Sequence, residues 1–590
     1  MPSSGNICTL NPLTQPNSGT FREGNLLFTH TASAWRTTAG THGITSGKWY
    51  WEAYQYEQLG GNGFPCGIYD IDSGLFVKQQ ASDYPGQSNS TYGTAYMCYT
   101  NTGTYATKRT NGVSVNMTVS MGASGDVWQC AFDADNGKIW FGKNNTWDNS
   151  ANPALGSNES YASIPSSTWV PVTCSYNDSN SENYPQNFGQ DSTFAGRISA
   201  GGNADDYGFG DFKYAPPAGF LAICTGNLPI SADIDVAQTN TDGPHQQFNS
   251  IVYSGNGTSN NAITGLGFQP DFVWIKDITN TAAYGNNLID STRGRAKVSY
   301  SSRSQSELTS GATQDLKSFD SDGITLGTST QAAVNTSSHD YVVWAWRANG
   351  GTTASNTQGA TNSTTQANTK AGFSIVTYTG IAGASGSSTV GHGLTQAPEF
   401  ILHVSRTRSA GRWVQHMATS GSSYVLSMSS SAETDYSSYG TIASPTATTF
   451  GINGIDGIGG ESADYVAYVW HSVPGFSKFG QYIGNGNNDG PYIYTGFRVA
   501  MIAFKRVDGG SEPWTVFDNK RATYNPTSAH SYSQVYWNST AGASSGSTHS
   551  IDFLSNGVKL RGNGGANNAS DGVYAYCAWG DVSFKYNNTF

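Results

Sequence analysis

The chain has 590 residues, room for roughly three to five domains of about 100–200 residues, each able to bury its own core. Charged residues make up only 12%, about half the roughly 25% of ordinary soluble domains, while aromatic residues reach 13%, which excludes a disordered chain. A net charge of −11 with only 30 Lys and Arg leaves too few cations to neutralise a phosphate backbone, which excludes a nucleic-acid binder.

The opening, MPSSGNICTLNPL, has neither a charged n-region nor an apolar h-region, so no secretory signal is expected. Residues 1–21 read as a Pro/Thr/Asn arm without core residues. No run approaches the ~18 apolar residues of a membrane-spanning helix, and no membrane insertion is expected. Helical periodicity is nearly absent; short alternating runs are bounded by Gly, Asn, Asp and Ser instead. KWYWEAYQYE (48–57) alternates aromatic and polar side chains. DVWQCAFDADNGKIWFGKN (126–144) places two strands around Asp-Asn-Gly, a hairpin signal. KYAPPAGFLAICTGNLPI (213–230) reads as a boundary, since its two adjacent prolines interrupt pairing. Residues 349–371, rich in Thr, Asn and Gly, have no apolar period and are expected to be flexible or lightly ordered.

Beyond residue 245 the chain repeats itself. Copy one opens with FNSIVYSGNG (248–257), continues with FQPDFVWIKD (268–277) and closes with HDYVVWAWRANG (339–350). Copy two runs through FSIVTYTGIAG (373–383), TQAPEFILHVSR (395–406) and ADYVAYVWHSVPG (463–475). Copy three runs through FGQYIGNGN (479–487), GFRVAMIAFKRV (496–507) and DGVYAYCAWGD (571–581). Trp346, Trp470 and Trp579 correspond. FDSDGITLG (319–327) is echoed by FLSNGVKLRG (553–562). A period above about 100 residues is too long for a solenoid unit, so each copy is expected to be a β-sandwich domain with its own core. Aromatic residues on both faces of the closing strand suit a central strand.

The seven cysteines (8, 66, 98, 130, 174, 224 and 577) are widely spaced with no C-x-x-C, so buried free thiols are expected rather than a zinc cluster. That usage suits synthesis in a reducing cytoplasm. Glycoside hydrolysis would need two carboxylates about 5–9.5 Å apart, and Glu52, Asp133, Asp135, Asp320 and Asp322 are the candidates. Asp133 and Asp135 flank a hairpin turn, and Asp320-Ser-Asp322-Gly is also a turn; copy three has Leu554-Ser-Asn556-Gly there. The full calcium-loop spacing is missing. His392 and His339 have no second ligand nearby in sequence. G-x-S-x-G, H-E-x-x-H and the P-loop are absent. No enzyme, cofactor or metal is therefore expected.

Residues 22–212 resemble a SPRY domain, a β-sandwich used for binding. The marks are SGKWYWEAYQYE (46–57), similar to that family's GKWYFEV strand, GIYD (67–70), GDVWQCAFDADNGKIWFGKNNTW (125–147) and NFG (187–189). Residues 216–590 resemble a repeat domain of marine tailed-phage structural proteins, through PPAGFLAICTGNLP (216–229), GFQPDFVWIKD (267–277), LIDSTRG (288–294) and FDSDGITLG (319–327). In the LIDSTRG region copy two carries SRTRSAGRW (405–413) and copy three WTVFDNKRATYN (514–525). The expected architecture is all-β: an arm (1–21), a SPRY-like sandwich (22–212), and repeats at 213–350, 371–477 and 478–590 with a linker at 351–370.

The resemblances imply a virion surface protein, a tail fibre or a capsid fibre or decoration, made in the host cytoplasm. Its partners would be other virion proteins and a host-surface glycan or protein, and fibres of this kind are commonly homotrimers. The alternatives are a tailspike depolymerase or a purely structural decoration. Exposed aromatic rings with amides and hydroxyls suit sugars and protein epitopes. Tyr84, Tyr92, Trp147 and Tyr176 in loop regions of the SPRY-like domain are therefore candidate binding residues, beside the alternative of packing at the sandwich edge. In the repeat, Asp290 and Arg293 of LIDSTRG are the candidates, beside the alternative of a local ion pair.

Overall fold

The computed structural model describes residues 6–14, 19–30, 34–56, 63–73, 84–87, 94–100, 104–176, 184–227, 243–279, 284–330, 332–460, 462–521, 534–544 and 549–581. The described residues are mostly strand and turn, with one four-residue α-helix, Gly565–Asn568, and a few three-residue 3-10 helices. Two units partition the chain, Met1–Pro229 and Ile230–Phe590.

The first unit is a sandwich of two antiparallel sheets. One sheet is ordered Thr146–Trp147, Lys138–Lys143, Val127–Asp133, Lys48–Tyr54, Gln186–Asn187. The other is ordered Trp35–Ala39, Trp169–Tyr176, Gly67–Asp70, Ala95–Tyr99, Tyr105–Thr110, Val113–Ser120. The hairpin forms at Asp-Asn-Gly, with Asp133 opposite Lys138 and Gly137 at φ +59°, a conformation glycine adopts without steric cost. Lys48–Tyr54 is buried on both faces along nearly its whole length. Trp49, Trp51 and Ala53 enter the inter-sheet core, while Tyr50 lies under Phe212, Phe220 and Ala222. The cover comes from the Pro-containing boundary segment, in which Leu221–Ala222 pairs in parallel with Trp49–Tyr50. PPAGFLAICTGNLP therefore belongs to the first unit as far as it is described. The N-terminal arm also departs from expectation. Cys8 and Leu10 are buried in the sandwich core, because bridges from Ile7 to Cys224 and from Leu10 to Gly40 draw them in. All seven cysteines are buried free thiols, as expected.

In the second unit each repeat builds a main sheet with the same strand order. The opening strands are Phe248–Ser254, Phe373–Thr379 and Ser477–Ile483, and the closing strands are Asp340–Trp346, Asp464–Trp470 and Val573–Gly580. The second strands are Phe272–Asp277, Phe400–Ser405 and Val499–Arg506. In every repeat the closing strand lies between the other two. Register fixes the correspondence: Trp346 sits opposite Phe248 and Phe272, Trp470 opposite Phe373 and Phe400, Trp579 opposite Ser477 and Met501. Copy three thus opens two residues earlier than its first aromatic, Phe479. A small second sheet completes each sandwich.

The two faces of each closing strand have different duties. Tyr341, Val343 and Ala345 pack into the repeat's own outer core, as do Tyr465, Ala467 and Val469, and Tyr574, Tyr576 and Ala578. The alternate apolar residues enter one core shared by the three repeats. At its centre Trp346, Trp470 and Trp579 form a triangle with ring centroids 5.4, 5.7 and 5.8 Å apart and interplanar angles of 64–74°. Edge-to-face packing sets the positive edge of one ring against the negative face of the next. The expectation of separate cores therefore holds for the outer layers and misses the common inner one.

A second three-fold recurrence is a stacked tyrosine pair: Tyr253–Tyr341, Tyr378–Tyr465 and Tyr482–Tyr574, with centroids 5.0–5.3 Å apart. All six hydroxyls donate to carbonyls of the loop before the closing strand, those of Val334, Ala333, Ile458, Gly460, Asn567 and Gly565. Each pair pins the loop that aims its closing strand. The 349–371 segment is also more ordered than expected: Ala354–Asn356 pairs with Ser363–Asn368, which pairs with Phe373–Thr379. Its Thr and Asn side chains suit an edge extension with one solvated face.

Replacing Trp470 with alanine is expected to cost about 3–5 kcal/mol. Because the lost ring belongs to all three repeats, hydrogen exchange by mass spectrometry should show protection falling together in 340–346, 464–470 and 573–580. Loss confined to 464–470 would contradict a shared core.

Candidate functional site

Asp290 and Arg293 both lie fully buried and form an ion pair of 2.6 Å. The Asp290 carboxylate also accepts the Arg293 backbone N–H at 2.8 Å. The guanidinium donates onward to Leu288 O, Ser299 Oγ and Glu307, and to Tyr468 Oη of the second repeat at 2.8 Å. Tyr468 Oη in turn donates to Asp290 at 2.8 Å. Arg406 of the second repeat reaches Glu307 at 2.9 Å. Burial disfavours the Arg293 charge, but the carboxylates of Asp290 and Glu307 hold it charged. The motif is therefore a joint between repeats.

The same joint recurs around the ring with altered residues. In the third repeat, Asp518 and Arg521 pair at 2.7 Å, and Trp344 of the first repeat donates its indole N–H to Asp518 at 3.1 Å. Copy two's counterpart lies at His416–Thr419, not at 405–413, because Phe400 is opposite His416 as Phe272 is opposite Asp290. His416 Nε2 meets Tyr576 O of the third repeat at 3.2 Å, and its Nδ1 accepts from Ala418 N. Buried cations add a second tie. Lys276 Nζ donates to Ser539 O and Ala541 O of the third repeat, and Lys505 Nζ to Ser430 O of the second. Copy two has Val404 at this place, and Arg412, directly opposite it, donates to Tyr300 O of the first repeat at 2.8 Å.

The described aromatic candidates of the first unit pack against neighbouring side chains. Tyr84 and Tyr176 are half-buried and meet around Trp35, with ring centroids 4.9 and 5.3 Å from it, and the Arg109 guanidinium lies 4.5 Å over the Tyr84 ring. Trp147 is in the other sheet, half-buried against Tyr50. Tyr92 lies outside the described residues. The carboxylates considered for catalysis are engaged locally. Asp133 accepts from Asn136 N and Nδ2, and Asp135 from Gly47 N. Asp322 accepts from Gly265 N and Gly267 N, and Asp320 from Thr325 Oγ1. Glu52 is wholly buried and accepts from Tyr50, Asn187, Lys213 N and Tyr214 N; burial pushes its carboxyl up to about 7. His339 pairs with Asp277 at 2.6 Å. No group of three or more His, Cys, Asp or Glu fit to hold a metal occurs among the described residues.

A groove of about 270 Å³ lies at the mouth of the second repeat's outer sandwich. Pro398, Ile401, Met417, Tyr424 and Pro445 form its apolar wall, and Gln415, His416, Thr419, Ser422, Ser444 and Glu399 its polar part. The chain connections explain why it is open. In the first repeat the corresponding acid, Asp271, accepts from Ser291 Oγ and from the backbone of Ala348, Gly350 and Gly351. Gln366 then lies over the mouth, donating to Ser291 Oγ and Thr292 Oγ1 at 2.9 Å. These covering groups come from the long connection 347–372. The connection after the second repeat, 471–476, is short, and its Ser472 N donates to Glu399 at 2.6 Å. Periodicity could not have found this groove, because it depends on the absence of a covering segment.

The fold and its joints define a class: an all-β protein with a two-sheet sandwich and a ring of three related sandwiches closed on a common aromatic core. The family profile described as "Domain of unknown function (DUF7483)" matches residues 243–582, more than half of the chain, and the chain belongs to that family. Among solved structures, the SPRY domain of human HERC1 is similar over 30% of this chain and 96% of its own, at 18% identity and a TM-score of 0.23. The TRIM65 PSpry domain is similar over 31% of this chain and 90% of its own, at 12% identity and a TM-score of 0.23. No curated protein matches.

Two outcomes follow from the joints. Asp290→Ala leaves Arg293 buried beside a single carboxylate and should cost about 3–5 kcal/mol in chemical denaturation; a cost below ~1 kcal/mol would contradict the joint. The second concerns acid. Burial lowers His392 and His416 to about 4 and His403 to about 3. In His392 and His416, Nδ1 accepts a backbone N–H, which leaves no place for a second proton. The unfolded imidazoles take up protons below about 6.5 and the folded ones do not, so stability falls as pH drops from about 6.5 toward 4. The slope is about 1.4 kcal/mol per pH unit for each histidine. His416→Gln should flatten the denaturation midpoint's decline across that window, and an unchanged slope would remove His416 from the account.

Proposed function

We propose that the chain is a surface structural protein of a tailed-phage particle, carried on the tail or capsid, that attaches the particle to glycans or proteins of the host surface. The observation that carries this reading is the open mouth of the second repeat, a groove with apolar walls and a single carboxylate, set on a scaffold tied by buried joints. Rigid scaffolds that present variable surface features suit recognition, because little order has to be gained on binding. The acidic, charge-poor composition and the resemblance to phage repeat proteins point the same way. Three related sandwiches already close on one core within a single chain, so this reading needs no homotrimer to build that core.

The test is binding of purified full-length protein, labelled with a fluorophore, to bacterial strains that the parent particle infects, with competition against infection. The expected result is saturable binding to susceptible strains and a fall in plaque number as free protein rises. Absence of binding to every susceptible strain would eliminate the attachment reading and favour a decoration without ligand.

A further inference from the structure

The groove of the second repeat carries a substitution that packing alone does not call for. Register places Gln415 where the first and third repeats have Ile289 and Phe517. Both of those are buried in the outer cores of their repeats. Gln415 is also buried, only 6% exposed, yet it is an amide. Its Nε2 donates to Gly451 O at 2.9 Å. A carbonyl can only accept, so the amide orientation is fixed. Oε1 is then the free end, and it has no hydrogen-bond partner among the described residues. Gln415 lines the groove, so the side chain, buried as a whole, holds an accessible acceptor at the groove wall.

The surroundings restrict what that acceptor can meet. No Lys or Arg lines the groove, and its one carboxylate, Glu399, already receives Ser472 N. An anionic ligand would face a carboxylate with no compensating cation. The wall of prolines, Met417 and Tyr424 offers apolar surface and a ring face, while Ser422 and Ser444 add hydroxyls. A volume of about 270 Å³ is below the usual range for drug-sized ligands, roughly 300–1,000 Å³, and fits one ring. The first repeat shows what such a mouth accepts: a neutral amide, Gln366, bonded to hydroxyls. Resting on the attachment reading, we infer that the groove binds one uncharged sugar ring, with Gln415 Oε1 accepting from a ring hydroxyl and Tyr424 and Met417 packing on its C–H face.

The experiment is saturation-transfer-difference NMR on the full chain with methyl α-D-glucopyranoside, methyl β-D-galactopyranoside and N-acetyl-D-glucosamine, titrated to obtain Kd. Gln415→Leu and Tyr424→Ala are measured alongside, each checked for an unchanged melting temperature, so that a folding defect in one leaves the other informative. A synthetic peptide copying 349–371, the segment that fills the first mouth, is the competing probe. The expected result is transfer to at least one sugar, weakened about tenfold or more in both variants, as loss of one hydrogen bond or ring contact implies. Transfer to none of the sugars, affinity unchanged in both variants, or binding of the peptide alone would each overturn the inference. Cell binding separates the two levels of the argument. If Gln415→Leu binds susceptible cells as the unaltered chain does, attachment stands and the groove falls; if the sugar binds but cells do not, the groove stands and attachment falls.

Discussion

The triangle of Trp346, Trp470 and Trp579 is the contact on which the architecture of the three repeats depends. Each ring lies at the end of, or one residue before the end of, a closing strand that is already central in its own sheet, so placing the three rings places three sheets. The indole N–H groups of all three make no hydrogen bond among the described residues. They act as bulk with an electrostatic shape, held edge to face. Around them Phe272, Phe373 and Phe400 stack on the same rings. Burying large rings stabilises each sheet and the association of sheets at once. A repeat on its own would expose the inner face of its closing strand, an apolar patch that soluble monomers rarely leave uncovered.

The joints around this core show how duplicated sequences diverge without losing their partners. An aspartate–arginine pair serves two of the three interfaces and a neutral histidine the third. A buried cation comes from the second strand in two repeats and from the strand beside it in the other. What persists is a donor under a neighbour's carbonyl or carboxylate, since a buried polar group without a partner is costly. The side chain that supplies it can change type and strand. Such exchange requires the backbone to stay fixed, and the stacked tyrosine pairs with their six carbonyl contacts provide that constancy.

Much of the fold could be read from residue patterns. Alternation and turn residues gave the strands, Asp-Asn-Gly gave the hairpin, and the recurrence of the closing strand gave three repeats. Aromatic residues on both faces of Asp340–Trp346 correctly indicated a central strand. They did not reveal that one face belongs to neighbouring repeats, because periodicity records burial and not the identity of the cover. For the same reason the 349–371 segment seemed flexible or lightly ordered: its pairings are with strands that sequence pattern alone does not identify. LIDSTRG was visible as a motif with Asp290 and Arg293 facing each other, but its burial against Tyr468 was not. The groove left only one trace in sequence, an amide at Gln415 where register elsewhere demands Ile289 or Phe517, and that trace becomes legible only once the strands are aligned by their hydrogen bonds.

The unequal connections between repeats carry an implication for how such chains change. A long connection folds back as two strands and stoppers the mouth beneath it; a short one leaves its mouth bare. The number of vacant mouths in a ring of three is then a matter of connector length and not of the sandwiches themselves. Lengthening or trimming a surface segment is thermodynamically mild, since loop closure grows only slowly with length. A lineage built on this plan could therefore alter its valency by insertions and deletions between repeats, while the aromatic hub and its joints stay untouched.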